Sequence, residues 1–241
     1  MHPFFSSPRP LVFAHRGGSA LAPENSIAAF DNGLACGADG LELDVHLSRD
    51  GQVVVHHDRT LERTTTLRGP IAERSADELA RANVPTLADV LARYRDARVI
   101  VELKVDSQEL ALAAVDVVRR SDAVERVCLG SSELRALRVA RAEEPAMATS
   151  AAREEVRWAL YRSWMRWPAR CAAFHGYQIP EFAGTTRVVS SLFVEHAHDA
   201  GLGVQVWTVD TEEDARRLIG WGVDALITDR PDIIVPAAKQ G

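Results

Sequence analysis

The sequence predicts an α/β protein in which eight parallel strands close into a (β/α)₈ barrel, the TIM-barrel architecture. Three observations lead to this prediction. The chain has 241 residues, a length at which such barrels form one domain. Apolar strand-like runs alternate with helix-forming segments, which is typical of a parallel sheet. The runs number eight, and eight repeats close a barrel. We therefore expect residues 1–241 to form a single domain.

The elements follow one another in a regular order. We predict strands near residues 11–15, 41–46, 99–104, 127–131, 146–150, 171–175, 203–208 and 225–228. We predict helices near residues 25–36, 86–96, 107–120, 132–142, 152–166, 190–200, 211–220 and 231–239. Serine and threonine are good helix N-caps, and they stand at the expected starts. The candidate caps are Thr86, Ser107, Ser132 and Thr211.

One connection breaks the alternation of strands and helices. A short polar segment containing an Asp-Gly pair, a strong tight-turn signal, separates the second strand from the valine run at 53–55. A parallel crossover needs about a dozen residues, so this connection is too short for one. We therefore expect an antiparallel hairpin arm after the second strand, which returns His57 to the end of the barrel where the second strand finishes.

An open, doubly wound sheet is the alternative fold. Such a sheet usually carries a glycine-rich phosphate loop after its first strand, and the sequence has no such loop there. The pair Gly201 and Gly203 precedes a strand and does not open a helix, so it is no dinucleotide fingerprint. The closed barrel is the better interpretation.

Composition excludes several classes of protein. The net charge is −6 and no run of lysine and arginine forms a stripe, so we expect no nucleic-acid partner. No stretch approaches the ~20 apolar residues that span a bilayer, and the N-terminus carries no secretory leader pattern. The three cysteines, Cys36, Cys128 and Cys171, are widely spaced and indicate buried free thiols in a reducing compartment. We expect a cytoplasmic location and make no prediction of oligomeric state.

Acidic side chains in two predicted strands indicate a metal site. Glu42 and Asp44 alternate with apolar residues and so point to one face of the second strand. Glu102 and Lys104 share a face at the carboxyl end of the next barrel strand, the end at which barrel enzymes bind substrate. Three carboxylates without a cysteine cluster suit one hard divalent cation, Mg²⁺ or Ca²⁺, between which the sequence does not choose.

Basic residues at the same rim indicate a phosphate substrate. His15 ends the first strand and His57 ends the arm, so both reach the mouth of the barrel. Two histidines that face one phosphate can act as an acid/base pair. Arg16 and Lys104 add the positive charge that a phosphate requires. We interpret His46 and His56 as packing residues.

At this point the sequence resembles the glycerophosphodiester phosphodiesterase family. The segments that carry the resemblance extend over nearly the whole chain, in order HRGGSALAPENS, ELDVHLSRDGQVVVHHDRTLERTT, VPTLADVL, VELK, VWTVD and GVDALITDRP. The resemblance implies a metal-dependent barrel enzyme that cleaves a glycerophosphodiester to glycerol phosphate and an alcohol. It implies catalytic roles for His15 and His57, metal ligands Glu42, Asp44 and Glu102, phosphate contacts Arg16 and Lys104, and a glycerol-pocket wall at Trp207.

The sequence departs from the pattern of that family at three places. Ser26 replaces the usual threonine and keeps a hydroxyl. Asp210 replaces the usual asparagine after Trp-Thr-Val and adds a charge near the site. The segment between Thr66 and Val84 is shorter than the usual insertion, which helps to cap the pocket, so substrate specificity is the least transferable property. We assign the Asp229-Arg230-Pro231 segment only to the order of the last loop.

Three interpretations of the function stay open. The leading one is a phosphodiesterase that acts on small glycerophosphodiesters. The second is a lysophospholipase D-type or phospholipase C-like enzyme with lipid substrates and peripheral lipid contact. Residues 157–167 hold three of the five tryptophans, and we interpret them first as an outer barrel helix that packs on its neighbour. The alternative, an aromatic lid that faces lipid or substrate, would support this second function. The third is a catalytically silent barrel that serves as a binding module, and it is disfavoured because every expected acid and histidine is present.

Overall fold

A computed structural model describes residues 1–167 and 172–239. Within these ranges, eight strands run parallel around a barrel in the order β6-β5-β4-β2-β1-β11-β10-β7. Their bounds are β1 Leu11–His15, β2 Gly40–Leu47, β4 Arg98–Leu103, β5 Val127–Gly130, β6 Ala148–Thr149, β7 Gly176–Pro180, β10 Gly203–Trp207 and β11 Ala225–Thr228. The parallel barrel predicted from the sequence is confirmed.

The barrel closes between β6 and β7 through a short seam. Ser150 and Gly176 form a single parallel bridge, and the Ala151 amide donates to the Gly176 carbonyl over 2.9 Å. On the other side of the bridge, the His175 amide donates to the Thr149 carbonyl over 2.9 Å. The seam is thinner than the other pairings; β2 and β4, for comparison, align from Gly40 to Val45.

Helices surround the strands as the alternation predicts. They are α1 Ile27–Ala35, α2 Ala76–Ala80, α3 Leu87–Arg93, α4 Gln108–Arg120, α5 Leu134–Glu143, α6 Arg153–Trp164, α7 Ser191–Asp199, α8 Glu212–Gly220 and α9 Pro231–Lys239. The hydroxyls of Thr86, Ser107 and Thr211 accept the expected amide hydrogen bonds and cap their helices. No helix in the described ranges is long and apolar enough to cross a membrane.

The antiparallel arm is also confirmed. β3 (Val53–Val55) pairs antiparallel with β2, with Val55 opposite Val45. Directly after β3, the His56 amide donates to the Asp44 carbonyl over 2.9 Å, which ties the end of the arm to the acid-bearing strand. The hairpin therefore delivers His57 to the barrel mouth. A second hairpin, β8 Phe182–Ala183 with β9 Thr186–Arg187, follows β7.

Two sequence predictions of local structure are wrong. The strand predicted at 171–175 begins at Gly176, because Phe174 packs outside the barrel with its ring 5.2 Å from that of Tyr177. Residue 171 itself lies outside the described residues, as does the predicted thiol of Cys171. The N-cap predicted at Ser132 is also wrong, since α5 begins after Glu133 and the Ser131 hydroxyl accepts the Glu133 amide. Cys36 and Cys128 are free thiols; Cys128 is buried as predicted, whereas Cys36, after the end of α1, is only half-buried.

Aromatic side chains from the N-terminus fill the lower barrel. The short 3₁₀ turn Pro3–Phe5 buries both phenylalanines, and Phe5 is 1% exposed. Gly176 and Gly203 leave the space for this ring: a Cβ on them would lie 2.5 Å and 2.7 Å from Phe5 atoms. The N-terminal segment thus closes the barrel from the end opposite the mouth. The strands' outward faces pack on the helices in two further apolar layers.

We expect Phe5→Ala to lower the free energy of unfolding by about 3–5 kcal/mol, because a large ring leaves a cavity that two glycine-bearing strands cannot fill. Denaturant unfolding followed by fluorescence measures the change. The matched control is Phe182→Ala, whose ring is 46% exposed and should cost less than about 1 kcal/mol. Equal, small losses for both variants would show that Phe5 does not support the barrel.

Candidate active site

A pocket of about 480 Å³ opens at the carboxyl ends of the barrel strands. All eight residues singled out in the sequence line it: His15, Arg16, Glu42, Asp44, His57, Glu102, Lys104 and Trp207. They come from four strands and the arm, so only the closed barrel brings them together. The carboxyl end is where barrel enzymes place their chemistry, because the loops after the strands meet there.

Three acidic side chains lie on the two neighbouring strands β2 and β4. Asp44 stands opposite Glu102 in the parallel register, and Glu42 and Asp44 are 7% and 2% exposed. Burial and the neighbouring Asp44 charge raise the pKa of Glu42. Burial likewise raises the pKa of Glu102 to about 8, although Lys104 opposes the shift. The site therefore holds more carboxylate than it can keep ionised without further positive charge.

Two cations supply part of that charge, and both face Asp44. Lys104 Nζ lies 3.3 Å from Asp44 Oδ1, and Arg16 Nε lies 3.2 Å from Asp44 Oδ2. The Asn25 amide donates to Asp44 Oδ2 over 2.9 Å. Burial acts to raise the pKa of Asp44, but Lys104 and Arg16 outweigh it and hold the pKa below its usual value. Arg16 Nε lacks hydrogen-bond geometry despite its proximity, so this buried donor is only electrostatically satisfied.

The donor set fits a hard divalent cation. Three carboxylates from adjacent strands, two of which are too buried to ionise readily, are the oxygen ligands that such ions prefer. Gly130, at the end of β5, keeps the space beside Glu102 open, because a Cβ there would lie 2.5 Å from Glu102 Oε2. In the described residues the acids do not form a preassembled group of three at metal-ligand spacing, since Asp44 is turned toward its two basic neighbours.

The turn after β1 positions Arg16 through an unusual backbone. Arg16 and Asn25 have positive φ values of 51° and 56°. Gly17 follows with φ 88°, and a Cβ there would lie 2.7 Å from Ala29 in α1, so only glycine fits the turn. Ser26 caps α1 by accepting the Ala29 amide, which a serine hydroxyl does as well as threonine. The turn also directs the Arg16 amide to Glu42 Oε2, 3.1 Å away.

His15 is held by a carboxylate that the sequence analysis left without a role in the site. Its Nδ1 lies 2.7 Å from Asp229 Oδ1, to which the Ser19 hydroxyl also donates. Burial acts to lower the pKa of His15, but Glu42, 3.7 Å from Nε2, and Asp229 outweigh it, so the pKa is raised. Asp210 accepts hydrogen bonds from the Asp229 amide and the Thr228 hydroxyl, and so fixes this loop.

His57 has a corresponding carboxylate of its own. Its Nδ1 lies 2.6 Å from Asp58 Oδ1, and Arg63 Nε donates to Asp58 Oδ2 over 2.5 Å. Hydrogen bonding from Arg63 lowers the pKa of Asp58. Arg63 also donates to both oxygens of Glu24, over 2.7 and 2.8 Å. With both Nδ1 atoms at carboxylates, Nε2 of each histidine is left for chemistry.

Glu24 connects the two parts of the site. It accepts from Arg16 over 3.1 Å as well as from Arg63. Charges therefore alternate in sign from Asp44 through Arg16, Glu24, Arg63 and Asp58 to His57. Glu24 and Asp58 lie in the segments that resemble the family, but the sequence analysis assigned them no role. Nothing in the sequence marks Arg63, five residues after Asp58, as a member of the site.

The remaining histidines of the arm are structural, in agreement with their interpretation as packing residues. His46 Nε2 lies 3.0 Å from the His57 carbonyl. His56 lies 2.9 Å from both the Asp58 carbonyl and the Thr64 hydroxyl. Burial lowers the pKa of both rings. Both rings brace the backbone on either side of His57.

The far wall of the pocket comes from the other half of the barrel. Ser132, Arg153, Val156, Ile179 and Val188 contribute to it, and Trp207, 42% exposed, stands at the rim. The aromatic residues of 157–167 do not line this pocket, although Arg153 and Val156 of the same helix do. The short segment 66–84 forms the turn Ile71–Glu73 and α2, and it packs beside the arm instead of covering the mouth.

The chain resembles known proteins over nearly its whole length. It matches the glycerophosphoryl diester phosphodiesterase family over residues 15–233. It is 30% identical to the glycerophosphodiester phosphodiesterase of Caldanaerobacter subterraneus subsp. tengcongensis, over 96% of this chain and 98% of that protein. It is 32% identical to the probable glycerophosphodiester phosphodiesterase 2 of Mycobacterium tuberculosis, over 93% of this chain and 89% of that one.

Solved structures agree with this assignment. An Oleispira antarctica phosphodiesterase, in complex with the product sn-glycerol-3-phosphate, superposes with a TM-score of 0.76 and is 28% identical, covering 96% of this chain and 97% of that one. The fold alone is shared with a structure from Silicibacter pomeroyi, TM-score 0.81 at 24% identity, covering 99% and 96%. The chain belongs to the glycerophosphoryl diester phosphodiesterase family and is a phosphodiesterase enzyme.

Proposed function

We propose that the enzyme hydrolyses glycerophosphodiesters to glycerol phosphate and an alcohol, with His15 and His57 as the acid/base pair and a divalent cation at Glu42, Asp44 and Glu102. One observation carries the proposal: two histidines, each with a carboxylate at Nδ1, line the same pocket as three acids, of which Glu42 and Asp44 are buried and Glu102 is half-buried. The Oleispira relative contains sn-glycerol-3-phosphate as its product, which supports the same product here.

The two histidines divide the proton transfers. With its proton on Nδ1 and directed to Asp229 or Asp58, a neutral histidine presents Nε2 as an acceptor, and it takes a proton from the attacking hydroxyl. The other histidine, charged, gives a proton to the leaving alcohol. Because His15 is close to both Glu42 and Asp229, it is well placed to carry the charge.

The basic residues and the acids bind and orient the substrate. Arg16 and Lys104 contact the phosphate oxygens in the proposed complex. Trp207 packs against the glycerol group at the rim of the pocket. Glu42, Asp44 and Glu102 would hold Mg²⁺ or Ca²⁺. When bound, the cation supplies positive charge that stabilises negative charge developing on the phosphate. Because Glu42 and Asp44 are buried, water screens the charge of the cation only weakly there.

A lipid phosphodiester is the second candidate substrate. The observation in its favour is the apolar part of the far wall, where Val156, Ile179 and Val188 border the pocket. A pocket of about 480 Å³ has room for more than a glycerophosphate group. We propose small glycerophosphodiesters first, because the relatives in the comparisons are named for them.

His15→Ala and His57→Ala should each lower kcat at least about 10²-fold, because each removes one positioned proton donor or acceptor. The measurement is release of glycerol phosphate from glycerophosphocholine in a coupled assay, with lysophosphatidylcholine tested in parallel. His196→Ala, on α7 and away from this pocket, is the control and should retain activity. If His56→Ala abolishes turnover while His57→Ala does not, the role belongs to His56.

Chelation should abolish activity, and Mg²⁺ or Ca²⁺ should restore it. Glu42→Gln, Asp44→Asn and Glu102→Gln should each weaken cation binding, since an amide offers oxygen without charge.

The cation should also raise Tm by relieving repulsion among the acids. Binding should strengthen from pH 6 to pH 8, because Glu102, with a pKa of about 8, must lose its proton to bind.

The control for the metal variants is Asp116→Asn, a 54%-exposed acid on α4 that should leave Tm shift and activity unchanged. Titration by calorimetry and thermal melts with and without cation give readouts independent of turnover. Full activity in excess chelator, or an unchanged Tm with cation in the wild type, would contradict the metal assignment.

Asp229→Asn should lower kcat about 10- to 100-fold, the usual cost of removing the group that orients a functional histidine. It should also lower the pKa of His15, because the variant loses a carboxylate that favours the charged ring. The limb of the kcat profile that reports His15 should therefore move to lower pH. Asp232→Asn, whose carboxylate pairs with Arg230 and does not contact His15, is the control. An unshifted profile would leave Asp229 a purely structural role.

A further inference from the structure

Exposed apolar side chains are concentrated on one helix of the barrel. Among the described residues, ten large apolar side chains are exposed, and five of the ten lie between positions 158 and 167. These five are Trp158 (68%), Tyr161 (50%), Trp164 (56%), Met165 (61%) and Trp167 (55%). Scattered exposed apolar residues need no explanation, but a contiguous patch of this kind marks an interaction surface.

The patch does not serve to pack α6 on the barrel. That task belongs to Val156, Ala159 and Leu160, which contact the apolar layer beneath the helix. The rings of the outer face contact each other instead. Tyr161 meets Trp158 edge-to-face at 6.3 Å and Trp164 at 5.7 Å. Three aromatic rings at i, i+3 and i+6 thus form one continuous ridge along the outside of the helix.

The charged side chains within this segment are all positive. Residues 157–167 contain three arginines and no acid, although the whole chain has a net charge of −6. The acids of α6 are confined to its first turn, where Glu155 pairs with Arg141 over 2.8 Å. We call residues 157–167 the aromatic-basic ridge. A partner of this ridge must therefore offer an apolar region for the aromatic rings and negative charge for the arginines.

The ridge is connected with the mouth of the barrel. Arg153 and Val156, at the start of the same helix, line the active-site pocket. Phe182 of the neighbouring hairpin, 46% exposed, adds an apolar side chain directly after β7, on the mouth side. From this start α6 runs away from the mouth, so Trp167 lies with Phe174 and Leu202, next to the amino ends of β7 and β10, and a flat surface against the ridge would contact the outer side of the barrel.

We propose that the aromatic-basic ridge docks the enzyme on the surface of a bilayer containing anionic phospholipid. Tryptophan and tyrosine rings settle at the headgroup level, and arginine side chains reach the phosphates while their stems cover apolar surface. Each basic residue near an anionic leaflet contributes about 1 kcal/mol, so the exposed Arg157 and Arg166 together make a lipid preference measurable. A second copy of the chain fits less well, because a two-fold contact would place arginines opposite arginines without an acid in the ridge.

The test is co-sedimentation of the full chain with vesicles of phosphatidylcholine alone and with vesicles that also contain about 30% phosphatidylglycerol, an anionic lipid. We expect binding at least about tenfold tighter to the anionic vesicles, with a blue shift of tryptophan emission. Trp158→Ala with Trp164→Ala should weaken binding about tenfold or more. Arg157→Gln with Arg166→Gln should remove the preference for anionic vesicles.

The matched control is Leu112→Ala, an exposed apolar residue (38%) on α4 that should bind vesicles like the wild type. Turnover of a water-soluble glycerophosphodiester should be unchanged in every variant, which shows that all are folded. Failure of the wild type to bind either vesicle overturns the proposal, as does binding that the ridge variants do not weaken. Concentration-dependent dimerisation that the tryptophan variants abolish, without vesicle binding, would assign the ridge to a second copy instead.

Discussion

The crowding of three carboxylates, two buried and one half-buried, on two neighbouring strands is the constraint on which the rest of the site depends. Glu42, Asp44 and Glu102 lie side by side, where water screens them poorly, so each raises the cost of ionising the others. Positive charge has to be supplied locally. Lys104 and Arg16 supply part of it at Asp44. The turn after β1, in which Arg16 has a positive φ, places the Arg16 side chain there.

The need to neutralise the acids extends to the histidines. Arg16 shares its charge between Asp44 and Glu24, and Glu24 in turn fixes Arg63 against Asp58. The orientation of His57 is thereby linked to the charge of the metal-binding strand through consecutive ion pairs. His15 is coupled to the same acids directly, through Glu42. A half-buried network of this kind orients its members more strongly than isolated surface pairs would.

The sequence predicted the barrel, the arm and eight of the residues that line the pocket. Seven of the eight followed from strand alternation and turn signals, which are local and direct side chains to the same end of the barrel, whereas Trp207 followed from the family resemblance alone. It did not predict the partners that come from distant positions. Asp229 is 214 residues from His15, and nothing in the pattern around it signals the contact. The strand at Gly176 was misplaced because inward-facing Gln178 interrupts the apolar pattern, while Phe174 is apolar for packing outside the barrel. The exposure of the aromatic residues on α6 likewise depends on what the neighbouring helix leaves uncovered.

The thin seam between β6 and β7 lies in the half of the barrel that forms the far wall of the pocket, away from the strands that carry the proposed catalytic and metal-binding residues. Every proposed catalytic and metal-binding side chain comes from the first 104 residues, whereas the far wall of the pocket begins after β5. The seam, and the helix that spans it, lie opposite β1 in the ring of strands. Mutational drift in the β6–α6–β7 region can therefore remodel what the pocket accepts while the chemical half stays fixed. For protein engineering, this is the section of the chain to exchange between relatives when a new leaving group is wanted.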